Sequence, residues 1–342
     1  MLSARTGDPA AAFPGDLSLS STFEDCRVGL GPPFDATGTD SMLFELTRNG
    51  KLRFLILTLL ASFLALSAVV GTSNSLAKSR IDFEQAVNMA GHQRTLAQQI
   101  GKEAILVAMG IDKETNLQRL KDSHAMFQRI SEGLRNGDEE LGLKPLADPE
   151  LIRHVDRVVQ IWGSVEQLLA RGVAGEEMTA EEVVAVAEMT EPLYSVVDEL
   201  VKALRLEAQK GMVVFSINLL AIDYATRQSM LSQKLAKEFL LVAYGHSVEK
   251  NRKALARSSS HFDRVLKGLL DGDLQLRLRQ APTPAIRIEL QKAMQIWTDV
   301  VPIVEGVANG QQVEDGQLVQ ISDLNLSLLE TIDSATELFG AL

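Results

Sequence analysis

Along most of this chain apolar residues recur three and four positions apart, and no window alternates apolar with polar residues between turn signals. One stripe, Met89, Gln93, Leu96, Ile100 and Val107, is repeated 135 residues later as Tyr224, Gln228, Leu231, Leu235 and Val242. That offset holds without a gap from Asn88 to Asp198, with roughly 30 identical positions in about 110, so the chain is a tandem duplication. The stop signals recur with it: Gly110 and Gly245, Gly137 and Gly272, and Gly175 and Gly310 each close a helical stretch. Asp148-Pro149 and Thr283-Pro284 read as a side-chain cap followed by a first-turn proline, and Thr179 with Glu182 reads as a capping box. The pattern predicts four helices per copy, an all-α fold of two tandem four-helix bundles over residues 80–210 and 211–342. Pro192 is expected to bend the fourth helix of the first copy, and Gly211 to join or hinge the two copies. Trp162 and Trp297 hold equivalent places in the third helices and are expected to pack in the cores.

One apolar run stands apart. Leu52 to Gly71 carries a single charge, Arg53, and at about 1.5 Å per residue it is long enough to span a bilayer core. It predicts one N-terminal transmembrane helix over residues 52–72. Arg48, Lys51 and Arg53 crowd its leading side, while the next positive charge is Lys78. The positive-inside rule then keeps the N-terminus cytoplasmic and exports the repeats, giving a single-pass protein of a bacterial inner membrane with periplasmic repeats. A cleaved signal peptide starting at Met42 is the alternative. Residues 1–40 are rich in Gly, Pro, Ser, Thr and Asp without a period, so the segment 1–50 reads as a disordered cytoplasmic tail. The run VVFSINLLAI at 213–222 is about half a membrane span and reads as buried core. The chain is therefore expected to cross the membrane once and to end outside.

Composition narrows the chemistry. The 342 residues are 46% apolar and 23% charged, ordinary for folded protein. Charges balance up to Arg80, so the net charge of -11 belongs to the repeats and argues against nucleic acid as a partner. The single cysteine, Cys26, lies in the tail and leaves the repeats without a disulfide frame or thiolate metal site. The five histidines form no metal-binding helix pair; Glu150 with His154, and His246 with Glu249, read as surface pairs. With no glycine-rich phosphate loop either, the reading is a protein that is not an enzyme and holds no metal or cofactor.

A second stripe on the first helix is made of small residues, Ala90, Ala97, Gly101, Ala104 and Ala108, with Arg94 among them. Copy two repeats it less cleanly as Ala225, Ser229, Ser232, Ala236 and Ala243. Another helix can approach closely there, and in a two-fold homodimer two Arg94 side chains would converge, which is tolerable if an anion lies between them. Gln98, Lys102 and Glu103 recur as Gln233, Lys237 and Glu238, a recurrence that a solvated face would also give; Lys102 stays a weak ligand candidate.

On these residues the chain resembles a known family. NMAGHQRTLAQQI and ATRQSMLSQKLAKEFLL look like the signature of the PilJ-type, NarX-like sensor domain, a periplasmic four-helix bundle that serves type IV pilus chemotaxis transducers and nitrate or nitrite sensor kinases. The resemblance implies an anion bound by the signature segment at a dimer interface. Ala90, Gly91, Gln93 and Arg94 match the Ala-Gly-x-x-Arg core of the nitrate box, with Arg94 in the place of its anion-contacting arginine. His92 departs from the arginine usual in PilJ-type copies. In copy two Ser229 replaces the box arginine and Thr226 the glycine, while Arg227 matches the arginine of the PilJ-type Arg-Gln pair and is followed by Gln228. Gln93 and Gln228 are either amides bonded inside the bundle or ligand contacts. The candidate ligand-binding residues are thus Arg94, Gly91, Gln93, His92, Arg227 and Gln228. At a ceiling of about 1.5 kcal/mol per heavy atom a four-atom anion gains roughly 6 kcal/mol, a dissociation constant of tens of micromolar. The implied function is a membrane-anchored sensor of nitrate or nitrite that signals through a separate transducer or kinase. The alternative is a ligand-free docking module for a chemotaxis transducer or pilus system.

Overall fold

The computed structural model describes residues 50–210 and 217–342, with side chains described at 58–63, 83–210 and 220–342. The tail before residue 50, the join at Gly211 and the first four residues of the apolar segment 213–222 lie outside the described residues. So do most side chains of the run from Leu52 to Gly71. The backbone of that run belongs to helix α1 (Gly50–Ala108), and among the described residues no helix is long and apolar enough to cross a membrane. The chain divides into two compact units, Met1–Val70 and Gly71–Leu342, and the second contains both repeats.

The first repeat consists of the later part of α1 with α2 (Lys113–Asn136), α3 (Pro149–Val173) and α4 (Ala180–Ala208). The second consists of α5 (Ile217–Ala243), α6 (Val248–Asp271), α7 (Pro284–Ala308) and α8 (Asp315–Gly340). Among the described residues there is no strand; two isolated bridges, Asp138 with Leu143 and Asp273 with Leu278, close equivalent loops. All six glycine stops adopt the left-handed backbone that side-chain-bearing residues avoid, with φ from 73° at Gly110 to 105° at Gly310. Asp148 caps α3 by accepting from the backbone N–H of Glu150 and Leu151, Thr283 caps α7, and Thr179 with Glu182 completes the capping box of α4. Pro192 lies inside α4 without ending it.

Each repeat has its own core, with the tryptophans where the pattern places them: Trp162 stacks on Phe127 at 4.3 Å between ring centroids, and Trp297 meets Phe262 at 4.5 Å. A third cluster belongs to both repeats. Ile105 and Leu106 of α1, Val183 and Ala187 of α4, and Leu240 and Leu241 of α5 are all buried together. Each leucine or isoleucine taken out of water there contributes roughly 1.5–3 kcal/mol to holding the repeats against each other.

The small-residue stripe of α1 lies in this seam. A methyl group at Gly91 would stand 3.1 Å from Thr226 Cγ2, and one at Gly101 would stand 2.7 Å from Thr190 Cγ2 and 3.1 Å from Lys237 Cδ. Thr226 is the position equivalent to Gly91 itself, so α1 and α5 run side by side in the same direction, related by a pseudo-two-fold axis. The close approach expected of a second molecule is made by the second repeat of the same chain.

Candidate functional site

Arg94 reaches from α1 into the seam and is 1% exposed. Its NH1 donates to Asp223 Oδ1 of α5 at 3.0 Å, and its NH2 lies 2.6 Å from Asp198 Oδ1 of α4 as a charge contact. The guanidinium is therefore buried and paired. Around the two carboxylates stand three more cations. Arg227 contacts both Asp198 and Asp223 at 3.1 Å, Arg205 lies 2.7 Å from Asp223, and Lys202 lies 2.6 Å from Asp198. Burial alone would push both carboxyls up; for Asp223 the guanidinium groups of Arg227, Arg94 and Arg205 overcome it, and for Asp198 Lys202, Arg94 and Arg227 do, leaving both below the usual carboxylate range. Burial opposes the charge of Arg227 as well, and the two aspartates outweigh it and raise its pKa.

The pseudo-symmetric half of the seam has the opposite character. Asp198 has the counterpart Asp333, but Arg94 is matched by Ser229, Arg227 by His92, Lys202 by Glu337, Arg205 by Gly340 and Asp223 by Asn88. The contact survives in reduced form, with Ser229 Oγ donating to Asp333 Oδ1 at 2.6 Å. Without a cation, burial pushes the Asp333 carboxyl up to about 6, opposed by the Ser229 hydrogen bond and reinforced by Glu337. Burial lowers the pKa of His92.

Between these halves α1, α4, α5 and α8 enclose a cavity of about 630 Å³, lined among others by Gly91, Arg94, Arg205, Asp223 and Glu337. Arg94 Nε faces no hydrogen-bond partner. Of the six candidate residues, the fold thus brings Arg94, Gly91 and Arg227 into one place. Gln93 and Gln228 turn the other way, into their own bundles. Gln93 Nε2 donates to the Phe127 carbonyl at 3.0 Å and to Ser131 Oγ at 2.8 Å, and Gln228 Nε2 donates to the Phe262 carbonyl at 2.9 Å. Each ties the first helix of its repeat to the second.

Further along the seam lies a buried polar layer. Gln98, Lys102, Glu103, Gln233, Lys237 and Glu238 are all at most 3% exposed, which corrects the expectation of a solvated face. Their recurrence reflects the pseudo-axis: Lys102 Nζ donates to Asn325 Oδ1 of the second repeat at 3.2 Å, and Lys237 Nζ donates to Thr190 Oγ1 of the first at 2.6 Å. Asn325 and Thr190 are themselves equivalent positions. The two polar pairs read as surface contacts are also rearranged: Glu150 binds Arg153, and His246 lies 3.1 Å from Glu188.

Residues 75–188 and 220–322 match the PilJ family, described as the type IV pili methyl-accepting chemotaxis transducer N-terminal domain. The chain belongs to this family. The two matched segments fall on the two repeats and together cover more than half of the chain, so both bundles are PilJ domains and the protein is a sensory or signalling module related to chemotaxis transducers. No curated protein matches the chain. Within the PilJ frame the residues that sequence reasoning missed are Asp198, Asp223, Lys202 and Arg205. One signal was available, an aspartate retained at the same fourth-helix position in both copies, Asp198 and Asp333.

Proposed function

We propose that this protein is a membrane-anchored, extracytoplasmic sensory module in which the seam between its two PilJ domains is the receiving site, and that it passes the signal to a separate transducer or kinase. The candidate ligand is a small anion, nitrate or nitrite. One observation carries the reading: Arg94, Arg205, Arg227 and Lys202 gather around only two carboxylates beside a cavity that Arg94 and Arg205 line. Within that cluster cations outnumber carboxylates, whereas the cavity beside it is also lined by Glu84 and Glu337, and an anion that reaches Arg94 or Arg205 by competing with Asp198 or Asp223 alters the contacts that join α1, α4 and α5. Such a ligand binds two arrangements of the seam differently, as a sensor requires. The anchor rests on the apolar run from Leu52 to Gly71 and the Arg48, Lys51 and Arg53 cluster before it.

The test is calorimetric titration of the full chain with nitrate, nitrite and chloride, beside Arg94→Ala. Saturable nitrate or nitrite binding near tens of micromolar, lost in a variant that stays folded, is the expected result. A second reading, a ligand-free docking module, is favoured by the 1% exposure of Arg94 and its occupation by Asp198 and Asp223. Absence of saturable binding by the folded chain selects it.

A further inference from the structure

The seam cavity is both larger and more polarised than an inorganic anion requires. Its volume of about 630 Å³ falls in the range of pockets that enclose organic ligands, roughly 300–1,000 Å³. One wall belongs to the cationic half-site, where Arg94 and Arg205 line the cavity beside their partner Asp223, and Glu84 of α1 lines it as well. The opposite wall, on α8, presents Glu337 at the position where the first repeat has Lys202, and one turn behind it stands Asp333, partnered by the Ser229 hydroxyl. Between them the lining includes Val87, Val201, Ile222 and Phe339. Every cation of one half-site has thus been exchanged on the other, so the half-site around Arg94, Arg205, Arg227 and Lys202 carries more cations than carboxylates while the half-site of Asp333 and Glu337 is acidic. Arg94, 1% exposed and lining the cavity, in addition has no hydrogen-bond partner at Nε.

We infer that the cavity takes a small dipolar organic molecule, a zwitterion of the α-amino-acid kind with an apolar side chain, whose carboxylate faces Arg94 and Arg205 and whose ammonium faces Glu337. The inference rests on the reading that the seam is the receiving site and replaces the inorganic anion with a ligand that uses both walls. A carboxylate offers two oxygens to a planar guanidinium donor set, and an ammonium offers three donors to acceptors on α8. The apolar lining accounts for the side chain. The position of Asp333 behind Glu337 keeps the second wall negative above about pH 6.

The experiment titrates the full chain at pH 7.5 with L-leucine and L-phenylalanine, and with two analogues of leucine that each keep one charge, 4-methylpentanoate and isoamylamine. Nitrate is titrated in parallel. The expected result is saturable binding of at least one amino acid, weakened about tenfold or more when either charge is removed. Glu337→Gln, on an exposed helix face, is expected to weaken L-leucine about tenfold and to abolish the preference for L-leucine over 4-methylpentanoate. Nitrate binding without amino-acid binding overturns this inference and leaves the proposed function standing. Amino-acid binding that is indifferent to Glu337 and to loss of the amino group also overturns it. Binding of neither class removes both the inference and the sensor reading, while amino-acid binding without nitrate sustains the inference and replaces the anion.

Discussion

Arg94 of α1 and Asp223 of α5 are held 3.0 Å apart across the pseudo-axis that relates their helices, and the symmetric pair does not exist, because its two positions are Ser229 and Asn88. The contact is one-sided by sequence. In a seam built from two similar helices it distinguishes one half from the other and ties the register of α1 to α5. Asp198 brings α4 into the same contact at 2.6 Å.

Arg94→Ala is therefore expected to destabilise the chain by about 2–4 kcal/mol in urea unfolding. Breaking a buried pair costs roughly 3–5 kcal/mol, and here Arg227, Arg205 and Lys202 remain to cover part of the loss. Arg94→Lys is expected to recover less than half of the difference, since one ammonium does not reach Asp198 and Asp223 as a planar fork does. A change within 0.5 kcal/mol of wild type, the usual range for a surface site, would show that the cluster holds nothing together.

Two glycines inside helices should respond oppositely to the same substitution. At Gly101 an added methyl stands 2.7 Å from Thr190 Cγ2 and 3.5 Å from the Ala187 backbone, whereas at Gly163 of α3 nothing lies within 4 Å. Gly163→Ala is expected to stabilise by about 0.5–1 kcal/mol through helix propensity and a less flexible unfolded chain. Gly101→Ala gains the same propensity, but overpacking of roughly 1–3 kcal/mol outweighs it. Thermal unfolding of the two variants decides the matter, and a stabilised Gly101→Ala would mean that α1 and α4 are not closely packed.

Helix ends, the repeat and the core aromatics were legible in the sequence because each depends on chemistry within a few residues. Gly110, Asp148-Pro149 and Thr179 act on their own helices wherever the rest of the chain lies. Arg94 and Gly91 were found through their motif. What periodicity cannot give is the partner of a polar residue on a helix face. Lys102 and Glu103 look alike whether they face water or another helix, and the small residues beside them were the only hint of a seam. The order of the repeats adds a further ambiguity, since a face that accepts a second molecule equally accepts a second copy within the chain. Asp198 joins Arg94 only through the packing of α4 on α1, a contact about a hundred residues apart.

The carboxyl of Asp333 gives the seam a pH signature. Its folded pKa, pushed up to about 6 from an ordinary 3.8, means that the folded chain holds this proton more tightly than the unfolded chain does. Its cost to stability is fully present above pH 6 and is relieved as pH falls from 6 toward 4. At 1.36 kcal/mol per unit the cost is at most about 3 kcal/mol. Asp333→Asn is expected to be more stable than wild type by about 1–3 kcal/mol at pH 7.5, with the advantage vanishing near pH 4. Asp198 and Asp223, with depressed pKa values, act in the opposite sense and only at lower pH, losing their contribution as pH falls below the ordinary carboxylate range. Urea midpoints of the two proteins from pH 4 to pH 8 test it; parallel curves would place Asp333 in water.

The two seam lysines are equivalent in position and unequal in partners, so removing them should have unequal effects. Lys237 lies 2.9 Å from Glu191 as well as bonding Thr190, and Lys234 shares that carboxylate at 2.6 Å. Lys102 faces the neutral Asn325, because the position equivalent to Glu191 is Leu326. Burial lowers the Lys102 pKa from 10.5 to about 8, with Glu103 opposing and Arg119 adding to the shift. Between pH 8 and 10.5 the unfolded chain therefore binds this proton more readily than the folded one. The cost is fully present below pH 8 and disappears as pH rises toward 10.5. Lys102→Met, an apolar side chain of similar length, is expected to match or exceed wild-type stability at pH 7 by about 1–3 kcal/mol, with the margin narrowing by pH 10. Glu103 keeps Ser123 and Gln99 as hydrogen-bond donors in that variant. Burial outweighs Glu191 and lowers the Lys237 pKa as well, but Lys237→Met leaves Glu191 with Lys234 alone and is expected to be about 1–2 kcal/mol less favourable than Lys102→Met at pH 7. Chemical unfolding of both variants at pH 7 and pH 9.5 measures the contrast, and equal changes in the two would mean that Glu191 does not distinguish the two lysines.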